Sequence, residues 1–303
     1  MTVKNKLKIA LIGNPNCGKT TLFNALTGSS QYVGNWPGVT VEKKSGILKY
    51  RDYELEIIDL PGIYSLNSYS LDEKIARNFI VNDDPDLILN IVDAGNLERN
   101  LYLTMQIIQY RKPIVIALNM IDLLEKMNMR IDYDKMRSML NCPVIPISAA
   151  KKEGLSALKE MLIQQSSFKA YISNAKISYD EVIYQSISHL NDYLLKAGEE
   201  NINSWLYIQK SEKDLNQDAC IYYDKIEKQY FLLRLLEQDE LISKEINPDF
   251  IKIVNREREK ILKHTRMKAE LLIADGIYGY IHGLCKNVIK RKQSSQRKTS
   301  DIL

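Results

Sequence analysis

The chain has 303 residues, of which 45% are hydrophobic, which is enough for about two domains with cores of their own. The formal net charge of +4 is too small to predict a nucleic-acid partner by itself. The polar start is not typical of a signal peptide, and no apolar run reaches the roughly 18 residues of a membrane span, so we expect a soluble chain. Four widely spaced cysteines and three scattered histidines predict reduced thiols and no metal cluster.

The stretch Gly13–Thr20 fits the phosphate-binding loop pattern of Gly, four residues and Gly-Lys-Ser/Thr. The apolar run Ile9–Ile12 predicts a strand before it, and Thr21–Leu26 predicts a helix after it. Backbone amides would hold the phosphates, Lys19 would reach the β- and γ-phosphates, and the Thr20 hydroxyl would ligate Mg²⁺. The predicted phosphate-binding residues are Gly13, Asn14, Pro15, Asn16, Cys17, Gly18, Lys19, Thr20 and Thr21.

Further apolar runs each end in a polar residue, as strands that lead to a binding site do. They are Leu55–Ile58, Leu87–Val92, Pro113–Leu118 and Val144–Ile147. Three of them are almost continuously apolar, as expected for strands buried on both faces, and helical stretches follow most of them. This alternation predicts an α/β fold over residues 1–166, a Ras-like P-loop GTPase with a doubly wound, mostly parallel sheet.

Two short motifs stand at the ends of these strands. Asp59-Leu60-Pro61-Gly62 fits DxxG, in which Asp59 would hold Mg²⁺ through water and the Gly62 amide would bond a γ-phosphate. Asn119-Met120-Ile121-Asp122 fits NxxD, and the carboxylate of Asp122 could accept bonds from guanine N1–H and the exocyclic amine. Adenine lacks that pair of donors, so the second motif favours GTP over ATP. An ordinary turn and a helix cap are the alternatives for each motif alone.

A third motif, Ser148-Ala149-Ala150, follows the last strand, where the Ala149 amide could meet guanine O6. A plain strand-to-helix turn is its alternative. All three motifs in register with a phosphate loop predict a domain that binds and hydrolyses GTP. The predicted base-binding residues are Asn119, Met120, Asp122, Ser148, Ala149 and Ala150.

The segment Gln31–Val41 lies between the phosphate loop and DxxG and is predicted to be a switch. Thr40 is placed like the threonine whose hydroxyl ligates Mg²⁺ and whose amide senses the γ-phosphate, and we expect Gly38 and Val39 beside it to contact the nucleotide. Gly34 and Gly38 would let the segment order and disorder. For Trp36 we favour a packing role over a catalytic one.

After Ser167 glycine and proline become sparse, and apolar residues recur at helical spacing. Amphipathic helices are predicted around Val182–Leu194, Tyr230–Leu241, Ile251–Leu262 and Leu271–Ile289. The segment Asn201–Asp224, which holds Trp205, is less clear. We therefore predict a small all-α domain over residues 167–290, followed by a basic tail at 291–303. By composition the tail is typical of a solvated end, and attraction to anionic lipid is the alternative.

Longer stretches carry a resemblance to a known family. They are Asn14–Gly28, Val33–Glu42, Asp59–Leu66 and Asn96–Leu103. These stretches resemble the cytoplasmic part of the bacterial ferrous iron transport protein B family, and Gly-Asn-Trp-Pro-Gly-Val-Thr is far more specific than a general GTPase motif. The helical region is similar to that family's spacer domain through Tyr230–Glu237 and Ile273–Asp275, although Gly276-Ile277-Tyr278 departs from the family pattern.

The resemblance implies the GTPase part of a ferrous iron transporter at the cytoplasmic face of the bacterial inner membrane. Its ligands would be GTP or GDP, Mg²⁺ and K⁺, and its helical spacer would slow nucleotide dissociation. Asn16 would hold K⁺ beside the phosphates, and Thr20, Thr40 and Asp59 would ligate Mg²⁺, with Lys19, Thr40, Gly62 and Asn16 taking part in catalysis. The expected partner is a membrane transport domain, which the tail would adjoin, and in that context attraction to anionic lipid is favoured over a solvated end. A homo-oligomer is left open, and no nucleic acid is expected.

Three residues modify this expectation. Ile63 stands where Ras-like enzymes have a glutamine that orients the attacking water, so we expect slow intrinsic hydrolysis. Met120 replaces the usual lysine of the base-binding motif, so we expect modest affinity and rapid GDP release. For the Cys17 thiol we favour a small neutral filler over a redox role.

Two other functions are compatible with the motifs. One is a ribosome- or tRNA-linked GTPase, which shares the Pro-Asn-x-Gly-Lys loop but would need an RNA-binding module. The other is a nucleotide-gated interaction switch whose output is shape rather than turnover.

Overall fold

The computed structural model describes residues 5–67, 70–167, 172–173, 175–196, 228–239, 242–243 and 246–291. Most of the basic tail, the segment Asn201–Asp224 with Trp205, and Leu241 lie outside these residues, so the predictions made for them are not addressed. Among the helices in the described ranges, none combines the length and the apolar character that crossing a bilayer requires.

A seven-stranded sheet forms the centre of the first domain, in the order β2-β3-β4-β1-β5-β6-β8. Its strands are β1 (Asn5–Gly13), β2 (Gln31–Asn35), β3 (Glu42–Tyr50), β4 (Tyr53–Asp59), β5 (Leu87–Asp93), β6 (Ile114–Asn119) and β8 (Val144–Pro146), while β7 (Met129–Ile131) lies outside it. Strand β3 pairs antiparallel with β2 and β4, and every other pair in the sheet is parallel. The predicted mostly parallel α/β sheet is confirmed.

Helices cover both faces of the sheet. Those of the first domain are α1 (Lys19–Thr27), α2 (Leu71–Asn82), α3 (Leu97–Gln109), α4 (Ile121–Leu124), α5 (Tyr133–Leu140) and α6 (Leu155–Ser167). The helical region that follows contains α7 (Glu181–Lys196), α8 (Lys228–Leu236), α9 (Pro248–Thr265) and α10 (Ala269–Val288). The predicted all-α region after the sheet is therefore confirmed.

The core divides along β1 because alternate residues face opposite sides of a strand. Ile9 and Leu11 pack on the side of α1 and α6, whereas Ala10 and Ile12 pack on the other side. That second cluster continues without a break into α7, α8, α9 and α10. The helical region therefore shares a hydrophobic core with one face of the sheet.

The predicted burial of two helices was wrong in detail. Helix α8 is not amphipathic, because Tyr230–Leu236 are all buried between the sheet domain and the other helices. On α9 the buried stripe runs through Phe250, Val254, Glu257 and Ile261, so Leu262, one residue further round the helix, is exposed.

The end of the described chain returns to the first domain. The fourth helix was predicted to run from Leu271 to Ile289, but α10 ends at Val288 and Ile289–Arg291 form strand β9. Strand β9 pairs antiparallel with β7, with Ile289 opposite Ile131. The Asp132 amide also donates to the Val288 carbonyl at 2.9 Å. A strand of three residues forms only because it pairs with another strand, so the spacing of apolar residues along the sequence could not predict β9.

Candidate functional site

The predicted phosphate loop joins β1 to α1 and lies at the carboxyl edge of the parallel strands. Gly13 has no room for a side chain, since a Cβ there would lie 2.6 Å from the Ile91 carbonyl oxygen. Gly18 has a φ of +89° and precedes the first residue of α1. Within the loop Asn14 and Cys17 are buried, whereas Asn16 in the loop and Thr20 and Thr21 in the first turn of α1 are exposed. The first-turn amides of α1 therefore remain available to an anion at this edge.

Lys19 and Asp59 form an ion pair within the site. Lys19 Nζ donates to Asp59 Oδ1 at 2.5 Å, and both side chains are largely buried. Burial raises the pKa of the Asp59 carboxyl, and the charge of Lys19 opposes that rise. The structure thus joins the two residues that were predicted to bind phosphate and Mg²⁺, each neutralising the other.

Asn119 connects the phosphate loop to the segment that follows β8. Its Nδ2 donates to the Cys17 carbonyl at 2.9 Å, and its Oδ1 accepts from the Ala149 amide at 2.9 Å. The side chain is 3% exposed, and a Cβ on Gly18 would lie 2.3 Å from Nδ2. One buried amide thereby fixes the spacing between two segments that are 30 or more residues away along the chain.

The predicted base-binding residues lie beside this bridge. Met120 has a φ of +64° and precedes α4, and its Cε lies 3.7 Å from the position a Cβ on Gly18 would occupy. Asp122 is 16% exposed and faces Lys151, whose Nζ is 3.7 Å from Asp122 Oδ2. The methionine side chain thus lies against the phosphate loop at Gly18, and its role toward the base stays a prediction.

The segment Ser148–Ala150 is held by its own turn. Ser148 is buried and its Oγ accepts from the Lys151 amide at 3.3 Å, while its backbone pairs with Glu153. Ala149 is buried and Ala150 is exposed. The structure therefore brings all the predicted base-binding residues to one place, although their individual roles stay predictions.

The DxxG segment lies against the phosphate loop. The Leu60 amide donates to the Leu11 carbonyl at 3.0 Å and the Ile63 amide to the Gly13 carbonyl at 3.2 Å. A Cβ on Gly62 would lie 3.5 Å from Pro15. The Ile63 side chain is buried in the core, which fits the prediction that it does not position water.

The predicted switch segment contains a strand that the sequence did not indicate. Gln31–Asn35 form β2 at the edge of the sheet, and Gly38, Val39 and Thr40 lie in the turn and bend before β3. Thr40 is exposed there, so its assignment to Mg²⁺ stays a prediction.

Two smaller predictions concern side chains beside the site. Trp36 is buried and packs edge to face on Phe79, with ring centroids 5.6 Å apart, which supports the packing role. Burial raises the pKa of the Cys17 thiol to about 11, which favours the neutral filler over a reactive thiolate.

Comparison with known proteins identifies the family. The family model described as ferrous iron transport protein B matches residues 7–162. The chain belongs to the ferrous iron transport protein B (FeoB) family. A second model, the FeoB cytosolic helical domain, matches residues 179–290. That match identifies the helical region as the cytosolic helical domain of the same family.

Curated relatives and solved structures agree with the FeoB assignment. The Fe(2+) transporter FeoB of Legionella pneumophila (strain Paris) is 40% identical over 285 residues, which are 93% of this chain and 33% of the relative. That of Escherichia coli (strain K12) is 46% identical over 224 residues, which are 71% of this chain and 28% of the relative. The chain thus spans about a third of the length of these relatives.

Two solved structures illustrate the similarity in fold. The cytosolic domain of L. pneumophila FeoB has a TM-score of 0.73 and 38% identity, covering 94% of this chain and 100% of that one. The GDP form II of the T. maritima FeoB cytosolic domain has a TM-score of 0.76 and 33% identity, covering 94% and 100%.

One group of residues near the site was missed. Arg77 and Arg234 are buried charged side chains beside the segment that follows DxxG. Helical spacing assigns an arginine to a solvated face, so sequence patterns gave no signal for them. A buried basic residue can be recognised only when its acidic partner, here Asp239, is placed by the fold.

Proposed function

We propose that this chain is the guanine-nucleotide-binding part of a ferrous iron transporter and that it binds and hydrolyses GTP. The observation that carries the proposal is the Asn119 bridge, which joins the phosphate loop to Ala149 at one edge of the sheet, with Asp122 three residues after Asn119 along the chain. FeoB cytosolic domains of T. maritima solved in GDP and GMPPNP forms, both 33% identical to this chain, support it. The transporter's membrane domain would be the partner, at the cytoplasmic face of the inner membrane.

Base selection is assigned to the carboxylate of Asp122. It stands beside Lys151 and next to the turn that presents the Ala149 amide. The carboxylate would accept from N1–H and the exocyclic amine of guanine. The Ala149 N–H, which donates to Asn119 Oδ1 in this structure, would share its hydrogen between that oxygen and guanine O6. Adenine would place its 6-amino group, a donor, against the Ala149 N–H. It also lacks the two donors that the Asp122 carboxylate would accept from.

The first prediction tests this assignment with Asp122→Asn. We expect the affinity for GDP to fall about a hundredfold or more, because two charge-assisted hydrogen bonds of about 1.5–3 kcal/mol each are lost. The new amide can instead donate to the 2-oxo group of xanthine, so affinity for xanthosine diphosphate should rise. Titration with fluorescent forms of both nucleotides measures the change in preference.

Asp134→Asn is the matched control, since Asp134 is 92% exposed on α5 and pairs only at the surface with Arg137. It should leave both affinities unchanged. If Asp122→Asn keeps the wild-type preference for GDP, the proposed function fails.

The donor set fits Mg²⁺, which prefers carboxylate and hydroxyl oxygens. Asp59 offers a carboxylate at the edge of the sheet, and Thr20 offers an exposed hydroxyl in the first turn of α1. Thr40 would join them from the bend before β3. When bound, the metal would neutralise phosphate charge. Lys19 would then move its charge from Asp59 to the phosphates, and the Gly62 amide would donate to the γ-phosphate.

The second prediction concerns the rate of hydrolysis. Because Ile63 is buried and cannot orient water, we expect slow turnover in NaCl. Asn16 is exposed in the loop with a φ of +65°, where its carbonyl could hold K⁺ against the phosphates. KCl should therefore raise turnover about tenfold or more, by stabilising charge that develops in the transition state. A steady-state phosphate-release assay measures the ratio.

Asn16→Ala should remove the difference between KCl and NaCl while keeping the affinity for GDP. Asn24→Ala, on the exposed side of α1, is the control and should keep the difference. Equal rates of wild type in the two salts would rule out the K⁺ site.

The remaining assignments are carried over from the sequence. The domain bounds 1–166, 167–290 and 291–303 are proposed as they were predicted from the sequence. Met120 gives apolar cover without the charge of a lysine, so we propose modest affinity and rapid GDP release.

A further inference from the structure

The segment that follows DxxG is clamped at its far end. It starts at Ile63, whose amide donates to the phosphate loop, and reaches Leu66 and Asn67. Gln106 of α3 holds both of these: its Oε1 accepts from the Leu66 amide at 2.8 Å, and its Nε2 donates to Asn67 Oδ1 at 2.8 Å. Only three residues therefore separate Gly62 from Leu66, which is fixed in the core.

Arg234 of α8 holds the same two residues from the helical region. Its Nη2 donates to the Leu66 carbonyl at 3.0 Å, and its Nη1 donates to Asn67 Oδ1 at 3.0 Å. The side chain is 2% exposed. A residue more than 160 positions away thereby completes the clamp on the segment next to the candidate γ-phosphate contact.

The other bonds of Arg234 fix its guanidinium in the helical region. Nε and Nη2 donate to Asp239 Oδ2 at 3.1 and 2.8 Å, and Nη1 donates to Glu237 Oε2 at 2.7 Å. Five hydrogen bonds thus match the five N–H donors of an arginine. A planar guanidinium group with all its donors bonded has little freedom to reorient. A shift of α8 must therefore either move Leu66 and Asn67 with it or break some of these five hydrogen bonds.

Asp239 extends the connection to α2. Its Oδ1 accepts from Arg77 Nη1 at 2.8 Å, and both side chains are fully buried. Arg77 belongs to the helix that begins just after the clamped segment, and its Nε also donates to the Tyr110 hydroxyl at 3.2 Å. The segment after Gly62 and the helix behind it are thus both tied to residues 234–239.

We propose that Arg234 is a positioning residue for GTP hydrolysis, which fixes the segment after Gly62 so that the Gly62 amide is presented to the γ-phosphate. The inference rests on the proposed function. GDP has no γ-phosphate, so the clamp stabilises the triphosphate state and leaves diphosphate affinity largely unchanged. By reciprocity, GTP binding tightens the contact between α8 and the DxxG segment.

The test compares Arg234→Met and Arg234→Lys with the wild type in the complete chain. For Arg234→Met we expect kcat to fall about tenfold and the affinity for a non-hydrolysable GTP analogue to fall by about the same factor, since two positioning hydrogen bonds are lost. GDP affinity should change less than about twofold. Arg234→Lys restores the charge without the planar fork, so it should recover only part of kcat.

Arg258→Met is the matched control. Arg258 is a half-buried arginine of α9 that donates to the Leu235 carbonyl and to Asn255, within the helical region. It should lower thermal stability while keeping kcat and the ratio of the two nucleotide affinities. If it changes that ratio as much as Arg234→Met does, the effect belongs to helical stability and the proposal is wrong.

Asn67→Ala gives an independent measurement should Arg234→Met fail to fold. It removes the shared acceptor and keeps the bond to the Leu66 carbonyl, so kcat should fall by a smaller factor, with GDP affinity intact. Unchanged kcat and unchanged GTP-analogue affinity in Asn67→Ala would overturn the proposal. Absence of GDP binding by the wild type would instead refute the proposed function, so the two failures are distinguishable.

Discussion

Asn119→Ala is expected to raise the dissociation constant for GDP about a hundredfold and to lower the free energy of unfolding by about 2–6 kcal/mol. The change leaves the Cys17 carbonyl and the Ala149 amide without their buried partner. Each unpaired group costs about 1–3 kcal/mol. In the wild type the bridge already holds the two segments at a fixed spacing, whereas in the variant the nucleotide must order them as it binds. Calorimetric titration with GDP and denaturant unfolding measure the two effects.

Asn119→Asp separates the two halves of the bridge. The carboxylate still accepts from the Ala149 amide but opposes the Cys17 carbonyl, so we expect most of the affinity loss to persist. Asn90→Ala is the matched control: Asn90 is 1% exposed, donates to the Ile12 carbonyl at 3.2 Å and accepts from Thr104 at 2.7 Å. It should cost similar stability with less than about a threefold change in GDP affinity. Equal affinity losses in both variants would contradict a specific role for the bridge.

The parts of the site that lie within single loops were predictable from the sequence. Position 13 requires glycine because the Ile91 backbone lies too close for a side chain, and position 18 requires it because its backbone is left-handed. Such requirements fix the residue type at two positions a set distance apart in the sequence. Asp59 and Asn119 end apolar strands, so the parallel sheet brings them to one edge. Local constraints of this kind leave a pattern that can be recognised without the fold.

The parts that depend on distant partners were not predictable. Strand β2 is short and mostly exposed, and it forms because β3 pairs with it. Strand β9 has three residues, two of them basic, and exists through its ladder with β7. Burial of Arg234 depends on Asp239 and on Leu66, which folding brings together. In each case the energy comes from a contact that no local pattern encodes.

The buried arginines show why such a contact suits regulation more than stability. A buried ion pair gives little net stabilisation, because desolvation of both charges offsets their attraction. Its geometry is strict, however, and a small displacement leaves a charge unpaired at high cost. The set formed by Arg77, Arg234 and Asp239 therefore opposes small displacements from the arrangement in which all three side chains are paired.

Lys19→Met is expected to abolish measurable GTP binding and to destabilise the nucleotide-free protein by about 3–5 kcal/mol, because it leaves the Asp59 carboxylate buried with the weaker attraction of Lys44 in place of its main counter-charge. Burial already raises the pKa of Asp59, and loss of Lys19 removes the main opposing charge. Because the pKa of Asp59 is higher in the folded than in the unfolded protein, the folded protein binds more protons between these two pKa values. The free energy of unfolding therefore falls as pH rises from the unfolded pKa to the folded pKa. The deficit against wild type should be larger near about pH 7.5 than near about pH 5.

The double variant Lys19→Met/Asp59→Asn distinguishes this cause from a general packing defect. The neutral amide needs no counter-charge, so most of the lost stability and its pH dependence should disappear, while nucleotide binding stays absent. Lys252→Met is the matched control, since Lys252 also donates to a carboxylate, at 2.8 Å on Asp249, but the two side chains are 71% and 70% exposed. An exposed pair contributes about 0–1 kcal/mol, so this variant should unfold almost as the wild type does. If the single and double variants have the same stability at both pH values, the buried charge of Asp59 is not what Lys19 compensates.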